Sequence, residues 1–244
     1  MTGKDYEDWG GYPTSAQSYP LKDLAEAVVR LGSPMMFNRD GATGFLESFQ
    51  YGLGRVDVSA SDPTKTPVLS TADWCSHGFS CYMPLSVVAG DVGQIGVNLL
   101  PMPPALWGFS CMFSIPDDLG YLQFYLDVHL DNVRTRYYVR VDLAGWKLQL
   151  YNDAGVWVDT INLVYLNCTT KLWHFLKVVI DPVNHRFVRV YLDNHVAADI
   201  ATLPGAAGAD FGDFIAWYII GISAGAGQPG MYIDNLIATY NESD

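Results

Sequence analysis

From Tyr121 to Leu143 the chain reads YLQFYLDVHLDNVRTRYYVRVDL, and apolar Leu122, Phe124, Leu126, Val128 and Leu130 fill every second place. Successive side chains of a strand point to opposite faces, so a period of two predicts a strand with one buried face. Tyr121, Gln123, Tyr125, Asp127 and His129 share its other face. Asp131-Asn132 interrupts the alternation, which resumes with Arg136, Tyr138 and Arg140 in the polar phase and so predicts a hairpin. The same rhythm returns from Gly44 onward in GFLESFQ, VDVSA, FSCYMPLSVV, QIGVNLL, WGFSCMFSI, KLQLY, VWVDTINLV, WHFLKVVID, RFVRVYLDN, IAWYIIGIS and MYIDNLIATY. Short polar links such as Asn152–Gly155 and Pro182–His185 separate them. About a dozen strands joined by such turns predict one antiparallel β-sandwich.

Residues 1–43 break the rhythm. MTGKDYEDWGGYPTSAQSY is polar, aromatic and turn-rich, while PLKDLAEAVVRLGSP predicts a short helix over residues 20–31. Pro20 suits the first helical position, Leu21, Leu24, Ala25, Val28 and Leu31 share one face, and Gly32 with Pro34 ends it. A helix this short is marginal alone and must dock on something. Trp9, in a polar and irregular stretch, is wasted unless it fills a partner's pocket. Trp9, Leu21, Leu24, Val28 and Leu31 are therefore candidate assembly contacts. The chain divides into an arm, 1–43, and a sandwich, 44–244.

Of the 244 residues, 50% are apolar and 16% charged, which suits one large β domain. A net charge of -12 argues against the basic face that nucleic acid requires and disfavours anionic lipid. Of 26 acidic residues only Glu7, Glu26, Glu47 and Glu242 are glutamates; the rest are Asp, a turn former. No run approaches the roughly 20 apolar residues of a membrane span, so no membrane insertion is expected. The opening segment has no apolar leader core, and the expectation is a protein that works inside a cell or leaves it by lysis or within an assembly. Cys81 is in phase with Phe79 and Met83, and Cys111 with Phe109 and Phe113, which favours buried free thiols over a Cys75–Cys81 bridge. Trp107, Trp146, Trp157, Trp173 and Trp217 lie in or beside strands and are expected in the core.

The order of four stretches resembles the concanavalin A-like lectin/glucanase jelly roll, including its laminin-G-like branch. GFLESFQYGLG is similar to the opening strand, VLSTADWCSHGFSCYMPL to the small-residue turn and second strand, LWHFLKVVIDPVNHRFVRVYLDNHVAADI to a Trp-led hairpin, and MYIDNLIATY to the terminal strand. The resemblance implies an all-β, antiparallel jelly-roll sandwich. It also implies a structural calcium, since Glu47 and Asp234 match the first-strand acid and last-strand Asp that hold it in related modules. More loosely, an arm joined to such a sandwich resembles bacteriophage capsid decoration or tail-surface proteins, which implies a virion or extracellular surface location.

Catalysis is not expected. Glucanases of this fold carry paired glutamates in an E-x-D-x-E pattern, whereas Glu47 is the only glutamate between Glu26 and Glu242. Asp127 and Asp142 are the substitute pair. No G-x-S-x-G turn is present, and no cofactor is required beyond the candidate calcium. Two main readings remain, with a degenerate glycoside hydrolase as a minor third. In the first, the sandwich is a structural brick and the arm builds a homo-oligomer or larger assembly. In the second, Tyr125, Asp127, His129, Tyr138 and Arg140 bind a glycan, pairing aromatic platforms with hydrogen-bonding groups.

Overall fold

The structure, a computed structural model, describes residues 42–75, 78–101, 105–115, 120–143, 145, 147–162, 166, 172–193, 195–196, 200, 204–208, 212–225 and 230–242. The arm's predicted helix lies outside them. In chain order the strands are β1 (Ala42–Glu47), β2 (Asp57–Ala60), β3 (Val68–Ser70), β4 (Ser80–Met83), β5 (Val92–Leu99), β6 (Trp107–Ser114), β7 (Tyr121–Leu130) and β8 (Val133–Asp142). They continue as β9 (Lys147–Tyr151), β10 (Trp157–Asn162), β11 (His174–Asp181), β12 (Arg186–Leu192), β13 (His195–Val196), β14 (Ala206–Gly208), β15 (Phe214–Ile222) and β16 (Met231–Tyr240). Among the described residues the only helical turn is Pro63–Lys65.

Two antiparallel sheets result. Sheet I runs β13-β12-β11-β6-β16-β4-β3 with β1 beside β16, and sheet II runs β10-β9-β8-β7-β15-β5-β2 with β14 beside β8. The β7–β8 hairpin pairs in unbroken register from Tyr121 against Asp142 to Leu130 against Val133. Asp131 and Asn132 turn it with φ of 52° and 63°, the left-handed pair whose twist matches that of the flanking strands. One predicted strand is shorter than expected. FSCYMPLSVV yields only Ser80–Met83, because Pro84 has no N–H to offer a ladder.

The alternating apolar residues meet between the sheets. Phe109 of β6 stands edge-on to Trp217 of β15 at 5.4 Å, and Tyr137 of β8 is perpendicular to Phe187 of β12 at 5.4 Å. Tyr137 Oη donates to the Asp181 carbonyl at 3.3 Å, which satisfies the one polar atom of that buried ring. Each such side chain contributes about 1.5–3 kcal/mol by leaving water. Cys75, Cys81 and Cys111 are buried free thiols, as their phase predicts, and burial pushes Cys81 up to about 12.

The outer face of sheet I is covered as well. Cys75, Met112, Phe175, Val179 and Tyr191 form a second apolar cluster there. Beside them Lys177 Nζ donates to Glu242 Oε2 at 2.8 Å, both groups buried. Among the described residues no such apolar cluster covers the outer face of sheet II, where Tyr138 is buried and Tyr125, Tyr151, Trp157 and Tyr218 are half-buried.

Candidate functional site

Register alone assembles that outer face. Tyr125 pairs with Tyr218 of β15 on one side and Tyr138 of β8 on the other. Val139 pairs with Leu150, which sets Tyr138 beside Tyr151 of β9, and Tyr151 pairs with Trp157 of β10. Five neighbouring strands therefore place an aromatic in one row: Tyr218, Tyr125, Tyr138, Tyr151, Trp157. Tyr125 and Tyr138 stack at 4.0 Å and 10°, Tyr138 and Tyr151 at 5.5 Å and 30°, and Tyr151 meets Trp157 at 5.2 Å and 59°. The row ends at Gly96 of β5, opposite Tyr218, where an added Cβ would collide with the Tyr218 ring. The missing side chain is what lets that ring lie flat across the strand.

A polar row runs alongside. Gln123, Arg140, Gln149 and Asp159 follow one another across β7 to β10. The Arg140 guanidinium lies 3.9 Å from the Trp157 ring centroid and 4.5 Å from that of Tyr121. With its amide turned oxygen toward Arg140, Gln123 accepts from Nε and Nη2 at 2.9 and 3.0 Å and donates to Tyr125 Oη at 2.6 Å. Asp159 accepts from Lys147 Nζ at 2.5 Å and Gln149 Nε2 at 2.7 Å.

On the other flank Asp127 accepts from Tyr138 Oη at 2.7 Å and from the Arg134 guanidinium. Burial, and then this bond to Asp127, push the Tyr138 hydroxyl well above the usual phenol range. Burial also raises Tyr125, against the opposing pull of Arg140, and lowers Arg140 somewhat. Both phenols are thus neutral donors and acceptors at neutral pH.

Four of the residues expected from the sequence, Tyr125, Asp127, Tyr138 and Arg140, come together here. His129 stands apart, buried with its ring stacked on Phe214 at 4.1 Å. Trp157 corrects the expectation of a core tryptophan: it shares its strand face with Asp159 and lies on the outer row, whereas Trp107 and Trp217 are in the core. Tyr151 and Tyr218 are further members that sequence reasoning missed. For Tyr151 the signal was available, since it alternates in phase with Lys147 and Gln149. For Tyr218 it was not, because its phase-mates Phe214, Ala216 and Ile220 read as a buried face.

The acid pair Asp127 and Asp142 is not a glycosidase pair. Asp142 is opposite Tyr121, six positions along β7 from Asp127, which is about 20 Å at the rise of a strand. Hydrolysis needs roughly 5–9.5 Å. Glu47 and Asp234 are both buried. Glu47 Oε1 accepts from Phe49 N–H at 2.7 Å, and Asp234 accepts from the N–H groups of Cys75 at 3.0 Å and Asn235 at 2.7 Å. Among the described residues no three His, Cys, Asp or Glu side chains cluster closely enough to hold a metal ion. Trp9, Leu21, Leu24, Val28 and Leu31, and with them the assembly role, lie outside the described residues.

Comparison with solved structures follows this architecture. Domain 4 of the extracellular arabinanase AbnA from Geobacillus stearothermophilus, solved with arabinotriose, matches with a TM-score of 0.52 at 16% identity over 84% of this chain and 96% of that one. Lectin II from Ulex europaeus matches with a TM-score of 0.51 at 10% identity over 82% of this chain and 100% of the lectin. The fold is the lectin-type jelly roll. A carbohydrate esterase of the Shiga toxin-encoding bacteriophage phi24B shares this jelly roll with a TM-score of 0.52 at 10% identity, over 82% of this chain and 99% of that one. A sialidase matches with a TM-score of 0.51 at 12% identity over 82% of this chain, which spans only 18% of the sialidase. No protein-family model and no curated protein matches the sequence.

Proposed function

We propose that this jelly roll is a non-catalytic carbohydrate-binding domain, with the outer face of sheet II as its binding surface. The observation that carries the reading is the row Tyr218–Tyr125–Tyr138–Tyr151–Trp157 flanked by Arg140, Gln149 and Asp159. Sugars present C–H patches ringed by hydroxyls, and such a row, its rings stacked on one another, offers apolar ring carbon for the former with donors and acceptors beside it for the latter. A chain of sugars suits it better than a single unit, since the aromatics continue over five strands. Arabinotriose bound to the AbnA domain and the lectin character of the Ulex protein support the reading by analogy of fold.

The test is an oligosaccharide array followed by titration of the best ligand. Trp157→Ala and Tyr151→Ala should each weaken binding about 30-fold, the loss expected of a hot-spot aromatic worth about 2 kcal/mol. Both side chains are half-buried on the surface, so the melting temperature should barely move. Full affinity in both variants would place the ligand elsewhere.

A further inference from the structure

Arg140 is one of the cations without an ion pair among the described residues. The chain carries 26 acidic against 14 basic side chains, so a cation has carboxylates in abundance. Arg134 takes Asp127, Lys147 takes Asp159, Lys177 takes Glu242 and Arg186 takes Asp181. Arg140, at the centre of the polar row, has no carboxylate within ion-pair distance among the described residues. Its direct partners are the amide oxygen of Gln123 and the faces of Trp157 and Tyr121, which carry no charge, and Asp142 acts on it only from beyond ion-pair distance. Two of the five guanidinium donors go to Gln123 and three remain. Arg136, two steps along the same face of β8 beyond Tyr138, is also without an ion pair among the described residues, where its buried Nε has no hydrogen-bond partner. Tyr138 therefore has on each side a guanidinium with no carboxylate within ion-pair distance among the described residues.

Holding a cation half-buried among aromatics without a counter-charge costs free energy, and a fixed, planar fork is the geometry that recognises a carboxylate. We infer that the face selects acidic glycans, polysaccharides whose sugars bear carboxylates, and that Arg140 is the residue that reads the carboxylate. This rests on the carbohydrate-binding reading above and narrows it. Adsorption by bulk charge does not account for such a preference, since a protein of net charge -12 repels polyanions.

The experiment titrates uronic-acid oligosaccharides, each beside its carboxyl-reduced, neutral form, into the full chain by calorimetry. At least one uronate should bind ten-fold or more tightly than its reduced counterpart. Arg140→Gln should bring the two within about three-fold, and Arg140→Lys should recover only part of the preference, because it restores the charge without the fork. Near-ultraviolet circular dichroism of each variant establishes that the aromatic row is intact. Binding of neutral sugars alone, or a preference unchanged in Arg140→Gln, would overturn this inference and leave the carbohydrate reading standing. Binding of neither class would remove both.

Discussion

At the scale of single residues, the most consequential position on the outer face of sheet II has no side chain. Gly96 gives Tyr218 the space to lie across β5, and Gly96→Ala forces the ring off that strand. Overpacking of this kind costs about 1–3 kcal/mol in unfolding experiments. Tyr218→Ala introduced in the same chain should abolish most of the penalty, a coupling that a double-mutant cycle in urea reads directly. Equal cost of Gly96→Ala with and without Tyr218 would show that the ring does not depend on the glycine. The sequence gives little warning of this pair, because a glycine inside QIGVNLL usually marks a bulge or a weak point in a strand. The alternation of Tyr121, Gln123, Tyr125, Asp127 against Leu122, Phe124, Leu126, Val128 was legible at once. A side chain in a period-two strand has only two faces to choose from, and the apolar set selects the buried one.

At the scale of elements, turns were easier to foresee than the lengths of the strands they join. Pro182–His185 is the expected link between β11 and β12, and Asp181 organises it. Its Oδ1 accepts from the N–H groups of Val183 at 3.2 Å and Asn184 at 3.0 Å, while Oδ2 accepts from Asn184 Nδ2 at 2.6 Å and Arg186 Nε at 3.3 Å. Burial would raise the Asp181 pKa, but the bonds from Asn184 and Arg186 outweigh it and hold the carboxyl below its usual range. A carboxyl depressed in the folded state adds stability above its unfolded pKa, and the addition is lost as pH falls through the folded value. Asp181→Asn should therefore cost about 1–2 kcal/mol at neutral pH. The gap between variant and parent should close in denaturation curves taken at successively more acidic pH. A gap independent of pH would show that the charge on Asp181 contributes nothing. Short strands such as β3, β13 and β14 were invisible in the sequence, since two or three residues cannot display a period.

At the scale of the whole molecule, the two outer faces differ in how they are closed. Sheet I is sealed by the cluster around Phe175 and Tyr191 and by the buried Lys177–Glu242 pair. Removing one member of a buried pair strands the other, so Glu242→Ala should cost about 3–5 kcal/mol in urea unfolding. Adding Lys177→Met should return much of that loss, and no recovery would mean that the tail, not the charge pair, is what matters. The jelly-roll architecture was legible in the order of the strand patterns and their turns. The division of faces was not. Whether a polar phase ends up exposed, or buried beneath a tail as Lys177 is, depends on contacts between residues as far apart as 177 and 242, which periodicity cannot register.

β16 sits in the middle of sheet I, flanked by β6 on one side and by β4 and β1 on the other, yet it follows every one of them in the chain. β6 can pair with β11 and β4 with β3 beforehand, but the two halves of sheet I join only once Met231–Tyr240 has left the ribosome. Up to that moment the nascent polypeptide carries unpaired strand edges, the state in which β proteins aggregate, and its maturation is set by the slow formation of long-range contacts.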